Sequence, residues 1–179
     1  MSLSRTRKLV FSLPLISILL AGCNSEKTAA TPEISPTIPS SFDPCHDIPA
    51  SALESEKLLA NPNPQVDSSG DDSKVKKKGC KYSTLPSEIL DRGAGILVEV
   101  TNQTTAYYEY YHHESTIKKE AIDGRAALVD GPIAGEACTL ILEIRGGAIR
   151  FDTASSSHDP CQILLDFASK TAPALPPGI

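Results

Sequence analysis

Large aromatic side chains are scarce in this sequence. Its 179 residues include no tryptophan, five tyrosines, four phenylalanines and a single methionine. Aromatic residues supply most stacking platforms for sugars and bases and many anchors of tight interfaces. The composition therefore offers few residues on which sugars or bases could stack, and few that could anchor a tight interface.

Known catalytic and cofactor-binding motifs are also absent. The sequence has no G-x-S-x-G, H-E-x-x-H, P-loop or C-x-x-C motif, and no G-x-G-x-x-G after a predicted strand. Because a triad assembled from distant residues leaves no sequence signature, an enzyme with a site that is not visible in the sequence remains an alternative. We predict no catalytic residue, metal or cofactor, and favour a non-catalytic binding or interaction module.

The apolar run at residues 9–20 is too short to cross a membrane. It has 12 residues, whereas a spanning helix needs about 20. Basic residues precede it, and Cys23 follows Leu20, Ala21 and Gly22 directly, which is typical of a bacterial lipoprotein signal. We expect a signal peptide at residues 1–22 to be removed and Cys23 to be acylated. This lipid would anchor the chain at the extracytoplasmic face of the cell membrane.

Removal of that segment makes the chain more acidic. Three of the 17 Lys and Arg residues and none of the 22 Asp and Glu residues lie in residues 1–22, so the net charge changes from −5 to −8. An acidic surface repels nucleic acid and anionic lipid. We expect no nucleic-acid partner. The possible partners of a non-catalytic module at the cell envelope are an envelope protein or a lipid ligand. The alternative at this location is an enzyme acting on cell-wall or lipid material.

Four cysteines remain when Cys23 is assigned to the lipid: Cys45, Cys80, Cys138 and Cys161. In an exported chain this even number predicts two disulfides, for which three connectivities are possible. Zinc sites need closely spaced pairs of ligands, and these cysteines are far apart in the sequence.

Composition divides the exported chain into a tail and one domain. Residues 24–42 are rich in Ser, Thr, Pro and Glu, which predicts a disordered tether over residues 23–42. The single domain is predicted at residues 43–179. Asp43 and Pro44 suit the start of a helix, and the first main helix is expected at residues 50–60. A loop is predicted at residues 61–79.

Alternating apolar residues and turn signals predict the sheet. Short strands are expected at 80–84 and 96–101. Asp123-Gly124 predicts a two-residue hairpin turn between strands 117–122 and 125–130, because both residues tolerate positive φ.

A second hairpin is predicted around Gly146-Gly147, between strands 139–145 and 148–153. With Arg145 opposite Ala148, Leu142 faces Phe151 on an apolar side, and Glu143 pairs with Arg150 on the other side.

This register also predicts the disulfides. Cys138 points into the core opposite Ser155, close in sequence to Cys161. Asp159 and Pro160 predict the start of a helix that covers the same face, with Gln162 completing a capping box. Cys138 can therefore meet Cys161, which leaves Cys45 to pair with Cys80.

Residues 104–115 contain four of the five tyrosines and two of the four histidines. In a helix, three of the tyrosines share one side. We regard this side as a possible ligand-binding surface, with ordinary packing as the alternative. Glu109 and the two histidines could be imagined around a metal, but no further ligand converges on them. The candidate ligand surface consists of Tyr107, Tyr110, Tyr111, His112 and His113.

The order of motifs along the chain resembles a known family. Asp43-Pro44-Cys45, Gly79-Cys80-x-Tyr82, Asp123-Gly124-Arg125-x-Ala127 and Asp159-Pro160-Cys161 follow a lipoprotein signal and a low-complexity tether. This order is similar to that of the actinobacterial lipoproteins of domain-of-unknown-function (DUF) family 3558. The resemblance implies a cell-envelope lipoprotein with two disulfides and no established activity.

These patterns together predict an α+β fold. We expect an antiparallel sheet of about five or six strands, two or three helices and two disulfides that fasten the terminal helices to the sheet.

Overall fold

The computed structural model describes residues 30–65, 74–155 and 157–176. The described residues from Thr31 onwards form one compact unit. The predicted signal peptide, Cys23 and the first part of the predicted tether lie outside the described residues. No helix in the described part of the chain is long and apolar enough to span a membrane.

One antiparallel sheet dominates the described structure, with the strand order β1-β2-β3-β7-β6-β5-β4. Its strands are β1 (Asn63–Gln65), β2 (Lys77–Ser83), β3 (Gly95–Thr101), β4 (Ile117–Ile122), β5 (Arg125–Ile133), β6 (Ala137–Ile144) and β7 (Gly147–Ala154). The helices are α1 (Ala50–Ser55), α2 (Ile89–Arg92), α3 (Thr105–Tyr111) and α4 (Pro160–Thr171). The antiparallel sheet with helices and two disulfides is confirmed, but within the described residues the sheet has seven strands and is accompanied by four α-helices.

The region predicted as a loop at residues 61–79 contains the one additional strand, β1, and the first three residues of β2. β1 pairs with β2, and β2 begins at Lys77, which lies opposite Thr101 of β3. The run of lysines in this segment is typical of a solvated loop, so the sequence did not predict a strand there. Their side chains remain in contact with solvent, while Cys80 and Tyr82 point into the core.

The N-terminal part of the domain differs from the predicted boundaries. Asp43 starts a separate turn, in which its carbonyl accepts from the backbone N–H of His46 and Asp47. α1 then begins after Pro49 and ends at Ser55, five residues before the predicted end. Phe42, within the predicted tether, is almost completely buried, so the core includes residues before position 43.

One of the two predicted hairpins is confirmed, whereas the predicted register of the other is wrong. The Asp123-Gly124 turn is confirmed: Ile122 lies opposite Arg125, and both turn residues have positive φ. The predicted register of the second hairpin is wrong, because Ile144 lies opposite Gly147.

The turn of the second hairpin is therefore Arg145-Gly146, and the register is shifted by two residues. Leu142 lies opposite Ile149, and Glu143 lies opposite Ala148. The predicted Glu143–Arg150 ion pair is replaced by a pair within β7, in which Arg150 Nε donates to Asp152 Oδ2 at 2.7 Å. A shift of two residues keeps each side chain on its predicted face.

α4 covers one face of the sheet and forms the main core with it. Leu164 and Phe167 are fully buried, and the Phe167 ring meets Phe151 of β7 edge to face at a centroid distance of 5.8 Å. Asp159 caps the helix as predicted by accepting from the N–H of Cys161. The predicted capping box is not formed, because the Gln162 amide donates to Asp166.

The two disulfides join the start of a helical turn to a strand. Cys45 pairs with Cys80 of β2, and Cys138 of β6 pairs with Cys161 of α4. Both pairings match the prediction, although Cys138 lies opposite Thr153 rather than Ser155. α4 is thus covalently attached to the sheet face that it covers.

Removal of the Cys138–Cys161 disulfide by a double substitution to Ala is expected to lower the free energy of unfolding by about 3 kcal/mol, because the cross-link restricts the unfolded chain. Urea unfolding of the variant and the parent would measure the difference. Equal stability, with the parent shown to be oxidised at both positions, would contradict the assigned role.

The hairpin register predicts unequal effects at its two glycines. Gly146 has φ +83° and open space around it, so Gly146→Ala should cost about 1 kcal/mol. A Cβ at Gly147 would collide with the Thr101 carbonyl of β3, so Gly147→Ala should cost about 2–3 kcal/mol. Urea midpoints would distinguish the two. Similar losses would favour a Gly146-Gly147 turn.

Candidate functional site

The second face of the sheet is partly covered by α3. A small cluster of buried residues lies here: Tyr108, Leu128, Ile141 and Ala148, with Ile117 packed against them. The segment of ambiguous periodicity at residues 104–115 thus contains a seven-residue helix, Thr105–Tyr111.

Two polar residues fix the start of this helix. The Thr104 side chain accepts from the N–H of Tyr107 at 3.1 Å, which is an N-cap. The Asn102 side chain, fully buried, donates to the carbonyls of Ser35 and Lys74 and accepts from the N–H of Lys76. Asn102 directly follows β3, so its hydrogen bonds hold both the N-terminal segment and the segment before β2 against the end of β3. The sequence did not predict this role for Asn102.

Tyr108 attaches the helix to the sheet. Its side chain is buried, its hydroxyl donates to Asp130 Oδ2 of β5 at 2.8 Å, and its ring stacks on His112 at a centroid distance of 4.0 Å. Burial and the adjacent Asp130 carboxylate both raise the pKa of the Tyr108 phenol. This anchor was not among the predicted site residues, since it lies outside the i, i+3, i+4 set.

The other three tyrosines form an aromatic cluster on the outer side of α3. Tyr111 contacts Tyr107 at a centroid distance of 4.5 Å and Tyr110 at 5.1 Å. Tyr110 is 39% exposed and Tyr111 is 53% exposed. Burial raises the pKa of the Tyr107 phenol, and the neighbouring Tyr111 phenol raises it further. Tyr107, Tyr110 and Tyr111 are hereafter called the tyrosine surface.

Two open grooves border the tyrosine surface. One, of about 360 Å³, lies between Tyr107, Tyr111, Lys74 and the N-terminal segment 31–34. The other, of about 480 Å³, is lined by Tyr110, Tyr111 and His113 and is mainly apolar. The structure therefore brings four of the five predicted candidate residues to the walls of adjoining grooves.

His112, the fifth candidate, lines neither groove, and its ring stacks on Tyr108 instead. Its Nδ1 lies 4.0 Å from Asp130 Oδ2, which is beyond hydrogen-bonding distance. His113 Nδ1 lies 2.9 Å from the carbonyl of Tyr110, and Glu109 forms an ion pair with Lys119 of β4 at 2.7 Å. The three side chains have separate partners. Among the described residues, no group of three or more His, Cys, Asp or Glu side chains is placed to hold a metal ion.

A polar groove of about 370 Å³ lies elsewhere, beside α1, α2 and α4. Its buried carboxylate, Glu56, accepts from Arg92 at 2.8 Å and lies 3.4 Å from the Lys170 ammonium. Sequence reasoning missed this group because its partners are distant along the chain. The Glu56 carboxylate is paired with the two cations, Arg92 and Lys170. We therefore assign this cluster a structural role, in which it joins the three helices.

The Tyr108 contacts predict a stability effect. Tyr108→Phe leaves the buried Asp130 without its hydroxyl donor and should lower the free energy of unfolding by about 1–3 kcal/mol at pH 7. The control Tyr110→Phe, at an exposed phenol, should change it by less than about 0.5 kcal/mol. Equal effects in urea unfolding would contradict the anchoring role.

The raised pKa of Tyr108 also predicts a pH dependence. The folded protein holds this phenolic proton at a pH where the unfolded chain, with a pKa of about 10, releases it. Stability from this group is therefore fully present below pH 10 and falls as the pH rises above it. Tyr82, whose pKa burial raises to about 12, adds to this fall. Urea unfolding between pH 8 and 11 should show a smaller decline for Tyr108→Phe than for the parent, and equal declines would contradict it.

Comparison with known proteins identifies the family. The family described as "Protein of unknown function (DUF3558)" matches residues 18–174, which is most of the chain. No curated protein and no solved structure matches the chain. The order of cysteine and hairpin motifs, the two disulfides and this match agree, and the chain belongs to the DUF3558 family.

Proposed function

We propose that the protein is a membrane-anchored extracytoplasmic lipoprotein that binds an envelope partner through the tyrosine surface, without catalysis. The single observation that carries the binding proposal is the exposure of Tyr110 and Tyr111 on a helix whose opposite side is fixed to the sheet.

Two features support the proposed location. The apolar run at residues 9–20 and the sequence ending in Cys23 fit a lipoprotein signal. The four other cysteines form two disulfides, which persist in oxidising compartments outside the cytoplasm. An acylated Cys23 would be the sole link to the membrane in this proposal.

The chemistry of the tyrosine surface supports a binding role. Tyrosine is enriched in protein interfaces because its ring buries apolar area while its hydroxyl remains able to form hydrogen bonds. Here the ring contacts among the three tyrosines restrict their rotamers before a partner binds. Such preorganisation lowers the entropic cost of association.

A protein partner fits this surface better than a lipid. Both grooves are open to solvent, and the first has Lys74 and Glu33 among its lining residues. Aromatic rings surrounded by a polar, solvent-accessible rim are typical of a protein interface. A lipid chain would be better accommodated by an enclosed apolar cavity. The acidic net charge further disfavours anionic lipid.

The geometry near the grooves supports a non-catalytic role. A histidine and a carboxylate acting as a catalytic pair need to lie within hydrogen-bonding distance in a cleft. His112 and Asp130 are too far apart for this, and Asp130 already accepts from Tyr108. The pair His46–Asp43, at 2.9 Å, lies on an exposed turn and not beside the grooves.

Site-specific photocrosslinking in intact cells would test the proposal. A photoreactive phenylalanine derivative placed at Tyr110 or Tyr111 of the full chain should yield the same crosslinked protein. The control is Ser169, an exposed position of α4 on the opposite face of the sheet. It should not yield that product.

A variant that lacks both exposed tyrosine rings completes this experiment. Tyr110→Ala together with Tyr111→Ala, in a chain carrying the photoreactive group at Tyr107, should reduce the crosslink at least about tenfold, since aromatic interface anchors often contribute over 1 kcal/mol each. Crosslinking to lipid alone, or the same products from Ser169, would contradict the proposed protein partner.

A further inference from the structure

β4 is an open edge of the sheet. It is the last strand in the order, and its inner side pairs with β5 from Ile117 opposite Asp130 to Ile122 opposite Arg125. Its four central residues are exposed. The opposite edge, β1, has only three described strand residues, one of which is Pro64. β4 is therefore the longer described edge on which a further strand could pair.

The hairpin geometry determines which backbone groups of β4 point outwards. In a two-residue turn the closing pair, Ile122 and Arg125, exchanges hydrogen bonds, and hydrogen-bonded pairs then alternate along the ladder. The backbone groups of Lys119 and Ala121 consequently point away from β5. The N–H of Ile117 also points outwards, where it donates to the carbonyl of Ser115.

We propose that β4 pairs with β4 of a second copy of this chain, in an antiparallel ladder with a two-fold axis beside Lys119. In this register Lys119 lies opposite its own equivalent, and Ile117 lies opposite Ala121 of the other copy. The Lys119 N–H of each copy donates to the Lys119 carbonyl of the other, and the Ala121 N–H of each copy donates to the Ile117 carbonyl of the other. This gives about four new backbone hydrogen bonds. The two sheets would become continuous.

The charges of β4 are complementary in this register. Lys118 of one copy lies opposite Glu120 of the other, and the two-fold axis creates this pair twice. Both side chains are exposed in the single chain, and no ion pair within the described residues engages either of them. Pairing therefore supplies each with an opposite charge.

The two Lys119 side chains lie on the other face, beside α3. Each already forms an ion pair with Glu109 of its own chain at 2.7 Å. The two lysines brought together by the axis are thus accompanied by two carboxylates. Edge lysines oppose strand pairing when they meet without such compensation.

The neighbouring registers are less favourable. An axis beside Glu120 would place Glu120 opposite its equivalent and Lys118 opposite Ile122, with no ion pair. An axis beside Lys118 would place Lys118 opposite its equivalent and Lys119 opposite Ile117. Only the register centred on Lys119 combines the outward backbone groups with opposite charges along the ordered strand.

Sedimentation of the full chain, extracted in mild detergent, would test this inference. The parent should form a dimer in a concentration-dependent manner. Glu120→Lys places like charges opposite each other twice and should weaken the dimer at least about tenfold. The variant with both Lys118→Glu and Glu120→Lys has the parent's composition and restores the opposite charges, so it should recover dimerisation.

A proline variant tests the backbone contacts separately. Lys119→Pro removes an N–H that points away from β5, so the β4–β5 hairpin should fold while the dimer is lost. Circular dichroism and urea unfolding would verify the fold of each variant. A parent that remains monomeric at about 100 μM overturns the inference. Dimerisation that is unaffected by Glu120→Lys, or not recovered by the double charge exchange, also overturns it.

Discussion

The two disulfides constrain the domain at both ends of its described chain. Each joins a residue that follows an Asp-Pro pair to a buried strand position: Cys45 to Cys80 in β2, and Cys161 to Cys138 in β6. Asp43 and Asp159 each accept from the N–H two residues later and fix the local turn. The cysteine is thereby directed towards the sheet. In a domain of marginal stability, cross-links worth about 3–4 kcal/mol each are a large share of the total.

This arrangement makes the two faces of the sheet unequal. The face beneath α4 holds the large core, and a disulfide keeps its helix in place. The face beneath α3 holds a small cluster, and its helix is fixed by the Thr104 cap, the Asn102 hydrogen bonds and the Tyr108–Asp130 contact. A helix of seven residues over so small a cluster leaves Tyr110 and Tyr111 exposed. The tyrosine surface is thus a direct result of how little of α3 the sheet can bury.

The sequence predicted those features that depend on local chemistry or strong alternation. The Asp123-Gly124 turn, the Asp159 cap and the choice of cysteine partners were all correct. The second hairpin was not, because two consecutive glycines allow more than one turn. Gly147 is required within β7, where any Cβ would collide with the Thr101 carbonyl of β3. Only the neighbouring strand reveals that constraint.

Parts of the candidate site were similarly beyond sequence reasoning. The spacing of Tyr107, Tyr110 and Tyr111 identified the exposed side of α3, yet the residue that orients the helix is Tyr108. Its partner, Asp130, lies 22 residues away on another element. Asn102 acts through the carbonyls of Ser35 and Lys74, and a backbone carbonyl leaves no trace in a sequence.

Mass spectrometry of the full chain, isolated from membranes without reduction, would test the proposed lipid anchor and the two internal cross-links together. We expect an N-terminal peptide that begins at an acylated Cys23, together with linked peptides for Cys45–Cys80 and Cys138–Cys161. An unmodified Cys23 thiol, a retained signal segment or crossed cysteine pairs would contradict this account.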